Sequence, residues 1–126
     1  MAQDDLVIDP WGSAQSTDYD RIIDQFGLTS MERVELRSPS KLHRRGIVFA
    51  HRDVDQVLEA QRTGNDFGVL TGLMPSGQMH LGHSMVVEQA RWFQQQGGDV
   101  TIAVADLESQ ATRGVSLAKG LSLIHI

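Results

Sequence analysis

The chain has 126 residues, of which 40% are hydrophobic and 21% are charged, and its formal net charge at pH 7 is −5. This length is typical of one domain rather than two, and no stretch approaches the roughly 20 apolar residues of a membrane span, so we expect no membrane contact. The acidic balance excludes a protein that binds nucleic acid through a generally basic surface, and any RNA contact must be local.

The amino terminus and the cysteine count bear on the compartment. The first five residues, Met1-Ala2-Gln3-Asp4-Asp5, are acidic where a secretory signal is basic, and no apolar core of signal-peptide length follows them. The chain contains no cysteine, which excludes a disulfide framework and a thiolate zinc site. We therefore expect a cytoplasmic protein.

The sequence up to about residue 40 predicts helices. Thr17 and Asp18 can cap a helix with apolar residues at helical spacing, and Gly27 is placed to end it. The apolar residues of this helix are Tyr19, Ile22, Ile23 and Phe26. A weaker helical turn is predicted over 31–36. Ser38-Pro39-Ser40 then breaks the pattern, because the residue before proline avoids helical geometry, and a loop is expected to follow.

That predicted loop carries the basic cluster of the chain, formed by Lys41, His43, Arg44 and Arg45. The cluster either contacts RNA or is a solvated basic loop. Behind it, the apolar run 47–50 predicts a short buried strand or extended piece. Asp53 is then predicted to cap a helix that ends near Gly64. Its inward-facing residues are Val54, Val57 and Leu58.

The second half predicts a strand, a helix and a second strand. The run 67–71 is apolar and ends in a loop over 72–77 that contains glycine and proline. A helix is predicted over 81–96, with Gly97-Gly98 stopping it, and the β-branched run 100–105 predicts a second buried strand. The apolar face of the helix is formed by Met85, Val86, Ala90, Trp92 and Phe93. This order predicts a right-handed βαβ unit with parallel strands, the start of a doubly wound sheet.

The predicted organisation is therefore α/β and has three parts. Residues 1–65 form a mostly helical amino-terminal extension with a short strand. Residues 66–120 form the first βαβ unit of the amino-terminal half of a Rossmann-like, doubly wound parallel sheet. Residues 121–126 form an apolar tail without a cap or stop signal, and we expect either a final strand or a truncated or non-native end from an interrupted reading frame.

The segment between the first strand and the helix, 71–83, carries most of the chemical information. It lies where open α/β sheets bind ligands and where unpaired helix N–H groups attract anions, which predicts a phosphate site. Gly72 and Gly77 have the spacing of a P-loop, but Gln78-Met79 replaces the lysine and hydroxyl residue that a P-loop requires. The dinucleotide-binding pattern G-x-G-x-x-G does not occur either, so other groups must bind the phosphate.

Two histidines supply such groups. His80 and His83 are three residues apart, on the same side of one helical turn, so their N–H groups can converge on phosphoryl oxygens. Gly82 between them leaves room for a nucleotide ring. The alternatives are a zinc pair, for which no motif offers the third ligand, and ordinary histidines at a helix start. The preceding Pro75-Ser76-Gly77 and the order of strand, loop and helix favour nucleotide binding.

The segment 75–83, PSGQMHLGH, resembles the first signature of the class I aminoacyl-tRNA synthetases, in the form found in the tryptophanyl and tyrosyl enzymes. Asp9-Pro10-Trp11 and the segment 44–53, RRGIVFAHRD, resemble the amino-terminal extension of archaeal and eukaryotic tryptophanyl-tRNA synthetases, which the tyrosyl enzymes lack. The resemblance covers about residues 8–120 and favours the tryptophanyl family.

This resemblance implies roles for individual residues. It makes His80 and His83 the catalytic phosphate contacts and Gly82 the floor beneath adenine. The remaining ATP-binding positions are Gly72, Pro75, Ser76 and Gly77. The implied tryptophan pocket consists of Leu70, Ala103 and Glu108. Leu70 and Ala103 stand where eukaryotic members have tyrosine and glutamine.

The implied reaction is attack of the tryptophan carboxylate on the α-phosphorus of ATP, with Mg²⁺, followed by acyl transfer to the terminal ribose of tRNA(Trp). Catalysis would consist of positioning and charge stabilisation by N–H donors, without a protein nucleophile or a protein-bound metal. The expected partners are ATP, tryptophan and tRNA(Trp), and the full-length protein is expected to be a homodimer.

The family also requires a lysine-bearing second loop and an anticodon-binding domain, and the sequence contains neither. We therefore expect an amino-terminal portion of the enzyme that is inactive and marginally folded by itself, since the last strand would lack a neighbour. The alternatives are a tyrosyl-tRNA synthetase, and a nucleotide-binding module or paralogue that does not charge tRNA.

Overall fold

The computed structural model describes residues 19–124. The chain divides into two compact units, Met1–Val54 and Asp55–Ile126. The predicted helix cap at Thr17 and Asp18 lies outside the described residues, as does the segment Asp9-Pro10-Trp11. The predicted domain boundary between residues 65 and 66 stays a prediction.

The first unit begins with helix α1, Tyr19–Phe26, which confirms the predicted periodicity. Ile22 is buried, and the ring of Tyr19 lies 4.5 Å from that of Phe49, measured between ring centroids. The helix is followed by Gly27, as predicted. Its apolar side therefore packs within the unit, although Phe26 remains 41% exposed.

Two short strands pair in this unit, β1 over Thr29–Ser30 and β2 over Ala50–His51, and they are antiparallel. Strand β1 was not predicted. Of the short strand or extended piece predicted over 47–50, only Ala50 lies in a strand. The ladder ends quickly because a 3₁₀ turn, Met31–Arg33, begins directly after Ser30. That turn is the first half of the helical turn predicted over 31–36.

The predicted basic loop is wrong in part, because Lys41–Arg44 forms a short helix, α2. Ser40 caps it: the hydroxyl of Ser40 accepts from the amides of Leu42 and His43, at 3.2 and 3.4 Å. His43 Nδ1 accepts in return from the Ser40 amide at 3.1 Å. Leu42 is buried beneath this turn. The reciprocal cap thus fixes a helical turn where the proline predicted only a break.

Helix α3 covers Val54–Thr63 and is followed by Gly64, as predicted. The three apolar residues expected to face inward are partly buried. The side chain that accepts from the Val54 amide is His51, through Nδ1 at 3.3 Å, rather than the predicted cap, Asp53. Asp53 instead adopts a left-handed backbone with φ of 58°.

The second unit contains strand β3, Gly68–Leu73, helix α4, Leu81–Gln95, and strand β4, Asp99–Val104. The strands pair in parallel, with Gly68 opposite Asp99 and Leu73 opposite Val104. This confirms the predicted βαβ unit. Ala90 and Trp92 of α4 are buried, so the helix supplies the core of this unit.

Gly98 makes the return from α4 to β4 possible. A Cβ atom at this position would lie 2.6 Å from Phe67 Cε2 and 3.1 Å from the carbonyl oxygen of Phe93. Only glycine therefore fits between the helix end and the start of the sheet.

The predicted burial of β4 is wrong. Five of its six residues are exposed, and Val100 alone is partly buried. The strand pairs only with β3 among the described strands, and the side chains on both of its faces are largely uncovered. This agrees with the expectation that the last strand lacks a neighbour.

Two helices complete the described chain, α5 over Asp106–Arg113 and α6 over Leu117–Ile124. The first four residues of the predicted tail belong to α6, so a final strand is wrong for them, and His125 and Ile126 lie outside the described residues. No helix within residues 19–124 is long and apolar enough to cross a membrane.

Candidate functional site

The candidate site lies where β3 ends and α4 begins, as predicted. Between Leu73 and Leu81 the chain makes a seven-residue loop at the carboxyl end of β3. Pro75 in this loop is buried, whereas Ser76 and Gly77 are exposed. Gly72 is part of β3 itself rather than of the loop.

The two histidines form a reciprocal cap at the start of α4. His80 is the N-cap residue, and its Nδ1 accepts from the amide of Gly82 at 3.1 Å. His83 occupies the third helical position, and its Nδ1 accepts from the amide of His80 at 3.3 Å. The two ring centroids are 4.0 Å apart. The structure thus brings the two predicted catalytic residues into contact.

These hydrogen bonds fix which nitrogen of each ring can donate. A neutral imidazole carries one N–H, and a nitrogen that accepts from an amide does not carry it. Because Nδ1 accepts in both His80 and His83, the N–H of each neutral ring is at Nε2. The site therefore offers two imidazole N–H donors side by side, and His80 is exposed.

The amides at the helix start are largely occupied, which refines the predicted anion site. The Gly82 amide donates to His80 Nδ1, and the His83 and Ser84 amides donate to the His80 carbonyl oxygen, at 3.0 and 3.3 Å. In this arrangement the imidazoles, rather than these backbone groups, are the donors available to an anion.

Gly82 is required by the position of the His80 ring. A Cβ atom on Gly82 would lie 3.0 Å from Cε1 and 3.1 Å from Nδ1 of His80. A larger residue would push the ring off its amide. The His80 ring is thus a second reason for glycine at this position, in addition to the predicted space for adenine.

The predicted amino-acid pocket falls partly on one face of the sheet. The register places Leu70 opposite Thr101 and Gly72 opposite Ala103, so these four residues share one face of the parallel pair. Leu70 is 76% exposed. Glu108 follows β4 in the first turn of α5 and is exposed.

Sequence reasoning missed Ser109. Its side chain is 0% exposed, and its hydroxyl donates to the carbonyl oxygen of Pro75 at 3.1 Å. The bond joins residues 34 positions apart, so no local pattern in the sequence signals it.

The described residues offer no metal cluster: within 19–124, no three His, Cys, Asp or Glu side chains lie together as a possible metal site. The site therefore consists of N–H donors, a buried proline turn and an exposed sheet face. Such a set can bind an anionic ligand by hydrogen bonding.

Comparisons with known proteins agree with this arrangement. Residues 61–120 match the family described as tRNA synthetases class I (W and Y). A tryptophan–tRNA ligase from Methanosarcina acetivorans is 44% identical over 117 residues, which cover 91% of this chain and 27% of the relative. A tryptophan–tRNA ligase 1 from Halobacterium salinarum is 44% identical over 118 residues, covering 92% of this chain and 23% of the relative.

A solved structure is similar as well. The crystal structure of tryptophanyl-tRNA synthetase from Aeropyrum pernix matches with a TM-score of 0.76 and 42% identity, over 92% of this chain and 33% of that one. The chain thus spans about a quarter to a third of these relatives. The likeness confirms the predicted fold class, the amino-terminal half of the Rossmann-like catalytic domain. The chain belongs to the class I tRNA synthetase family of tryptophan and tyrosine enzymes.

Proposed function

We propose that this chain is the ATP-binding part of an enzyme that activates tryptophan with ATP and transfers it to tRNA(Trp). The observation that carries the proposal is the pair of imidazole rings 4.0 Å apart at the start of α4, each with Nδ1 engaged by a backbone amide. The relatives named above are tryptophan ligases, which supports tryptophan over tyrosine.

The proposed role of His80 and His83 is to donate from Nε2 to phosphoryl oxygens of ATP. In the first step, a carboxylate oxygen of tryptophan forms a bond to the α-phosphorus while the bond to the β-phosphate bridging oxygen breaks and pyrophosphate leaves. Negative charge increases on the phosphoryl oxygens, and preorganised donors stabilise it. In the second step, a ribose hydroxyl of tRNA takes the aminoacyl group and AMP leaves.

The loop residues before the histidines are proposed to surround the same nucleotide. Ser76 and Gly77 are exposed next to the buried Pro75, and Gly72 is the penultimate residue of β3, three positions before Pro75. Mg²⁺ would arrive on the phosphates of ATP, because the described residues offer N–H donors rather than a carboxylate cluster. Bound there, Mg²⁺ supplies positive charge to the phosphates.

The proposed tryptophan pocket uses the open face of the sheet. Gly72 and Ala103 are neighbours in register and carry small side chains or none, with Leu70 exposed beside them. A flat, apolar ring can lie against such a surface. Glu108, exposed on α5, would supply an acceptor for a polar group of the amino acid.

A local basic surface is proposed to contact tRNA. Lys41 and Arg44 lie in α2, and Arg45 is its C-cap. All three are exposed, and their spacing of i, i+3 and i+4 places them on one side of the turn. Arg44 donates to the carbonyl oxygen of Pro39, and none of the three forms an ion pair with a described residue. These positive charges in an acidic chain fit a phosphate backbone, which favours the RNA alternative over a merely solvated surface.

The whole protein is also proposed to be a cytoplasmic homodimer, as the resemblance and the sequence led us to expect. The test of the activity is ATP–pyrophosphate exchange in a protein of full family length that contains this chain. We expect exchange that depends on tryptophan and is much weaker with tyrosine. Exchange driven by tyrosine would favour the tyrosyl alternative, and ATP binding without either exchange would favour a nucleotide-binding paralogue.

The tRNA surface has its own test, the binding of tRNA(Trp) to the same protein at several salt concentrations. Lys41→Glu combined with Arg45→Glu should weaken binding and lower the slope of log affinity against log salt by about 2. Arg91→Glu combined with Arg62→Glu is the control, because it removes two exposed cations of α4 and α3. An equal loss in both double variants would contradict a local contact.

A further inference from the structure

Ser109 is the one polar residue in the described part of the chain that is fully buried. Ser109 is 0% exposed, and its Oγ donates to the carbonyl oxygen of Pro75 at 3.1 Å. A buried hydroxyl is costly unless it is hydrogen-bonded, and so is a buried carbonyl. The bond therefore specifies how α5 meets the loop before α4.

The loop is held tightly at this point. Pro75 is buried, and its ring lies 3.7 Å from the position that a Cβ atom of Gly120 would take. The amide of Ser76 donates back to the carbonyl oxygen of Met74 at 2.8 Å, which makes a narrow turn around the proline. Proline also restricts its own φ angle. The Pro75 carbonyl belongs to the peptide unit that leads into Ser76, so a hydrogen bond to this carbonyl holds that peptide plane.

A second side chain of α5 reaches the same turn. The hydroxyl of Thr112 lies 3.9 Å from Met74 Sδ while it donates to the carbonyl oxygen of Glu108 at 2.8 Å. Ser109 and Thr112 are three residues apart and therefore lie on one side of the helix. Two hydroxyl side chains of α5 thus contact two successive residues of the loop.

We propose that Ser109 is a positioning residue for the histidine site, and this rests on the function proposed above. Its hydroxyl fixes the Pro75–Ser76 peptide, and that peptide sets the course of the chain into His80, five residues after Pro75. Ser109 does not touch the nucleotide. Without the bond, the loop would shift, and the two imidazoles would no longer meet the phosphates in the productive geometry.

The first test uses kinetics in a protein of full family length that contains this chain. Ser109→Ala should lower kcat for tryptophan-dependent ATP–pyrophosphate exchange by on the order of 10- to 100-fold, because small misplacements of catalytic groups have effects of this size. The KM for tryptophan should change much less. Thr63→Ala is the control, since Thr63 Oγ1 also donates to a backbone carbonyl, that of Glu59 at 2.8 Å, but on the exposed side of α3. It should leave kcat unchanged.

A matched pair of variants separates the hydroxyl from the shape of the side chain. Ser109→Thr keeps the donor, and Ser109→Val has nearly the same volume without it, so any crowding by the added methyl is common to both. We expect Ser109→Thr to retain clearly more exchange activity than Ser109→Val. Equal activity of the pair, or a Ser109→Ala protein as active as the parent, would overturn the proposal.

The second readout is independent of turnover. The ¹⁵N signals of the His80 and His83 rings, recorded without ATP, should move in Ser109→Ala and stay in place in Thr63→Ala. Unchanged ring signals in Ser109→Ala would overturn the proposal even if activity fell. A parent protein without tryptophan-dependent exchange would instead contradict the proposed function, and the ring signals would still decide the positioning role.

Discussion

Helices α2 and α4 begin with the same reciprocal cap and differ in the N-cap residue. At α2 the N-cap is Ser40 and the third helical residue is His43; at α4 these positions hold His80 and His83. In both, Nδ1 of the later histidine accepts from the amide of the cap residue, at 3.1 and 3.3 Å. The later histidine therefore has the same local role in each.

The two cap residues differ in how fully capping explains them. The Ser40 hydroxyl accepts from two amides and also lies 2.8 Å from His43 Nδ1, so one small group closes the turn. His80 accepts from one amide and remains exposed. Serine is a preferred N-cap residue and histidine is not, so capping alone does not account for His80. The proposed role of His80 as an N–H donor to phosphate would account for it.

The largest expected effect comes from exchanging the later histidine for glutamine. Glutamine at the third helical position can still accept from the cap amide, but it lacks the imidazole N–H. In a protein of full family length, His83→Gln should lower ATP–pyrophosphate exchange by on the order of 10²–10³-fold, or about 3 kcal/mol. His43→Gln should leave the rate unchanged. Similar losses in both variants would contradict a chemical role specific to α4.

Crowding the His80 ring should have the next largest effect. Gly82→Ala favours the helix by about 1 kcal/mol but places a Cβ atom 3.0 Å from His80 Cε1. We expect roughly a tenfold loss of exchange activity without loss of stability, because the ring must move. Gly68→Ala is the control, since its Cβ would come no closer than 4.0 Å to its nearest neighbour, the Asp99 carbonyl oxygen. Full activity in Gly82→Ala would mean that the ring position is unimportant.

Changes at the two cap residues should differ in their effect on stability. Ser40→Ala should cost about 1 kcal/mol of local stability, because two amides lose their acceptor. His80→Ser should cost nothing, since serine caps well, yet it should lower exchange activity. Hydrogen exchange at the amides of Leu42 and Gly82 measures the local stability of the α2 cap and of the α4 cap. Faster exchange at Gly82 in His80→Ser would indicate that histidine is needed for the cap itself.

The smallest effect concerns pH. Burial lowers the pKa of His43 below its ordinary value near 6.5. The folded state therefore binds its proton less readily than the unfolded state, so the stability from neutral His43 is present above pH 6.5 and decreases as the pH falls through the lowered pKa. Protonation would also end the acceptor role of Nδ1. Denaturation of the first unit at pH 7.5 and 5.5 should show the loss, and His43→Gln should reduce it.

The sequence predicted the second unit well because its signals are local and long. The spacing of apolar residues over α4 and the glycines after it define the βαβ unit, and the placement of His80 and His83 at its first turn follows from that alone. Contacts between residues that are close in sequence produce a spacing of residue types that is visible in a single sequence.

Apart from the burial of β4, the errors came from short elements and distant contacts. Strands β1 and β2 have two residues each, too few for any alternation to be visible. Helix α2 depends on a histidine as the reciprocal cap, where the usual pattern has glutamate or glutamine. The Ser109 bond to Pro75 spans 34 residues, and only the fold brings the two together.

The most direct test of phosphate binding by His80 and His83 is ¹⁵N NMR of the histidine rings in a protein of full family length that contains this chain, with and without ATP. The account predicts that His80 and His83 both carry the proton at Nε2 and that ATP shifts both Nε2 signals while the His43 signal stays in place. Protons at Nδ1, or ATP binding that leaves both rings unperturbed, would contradict a phosphate held by these imidazoles.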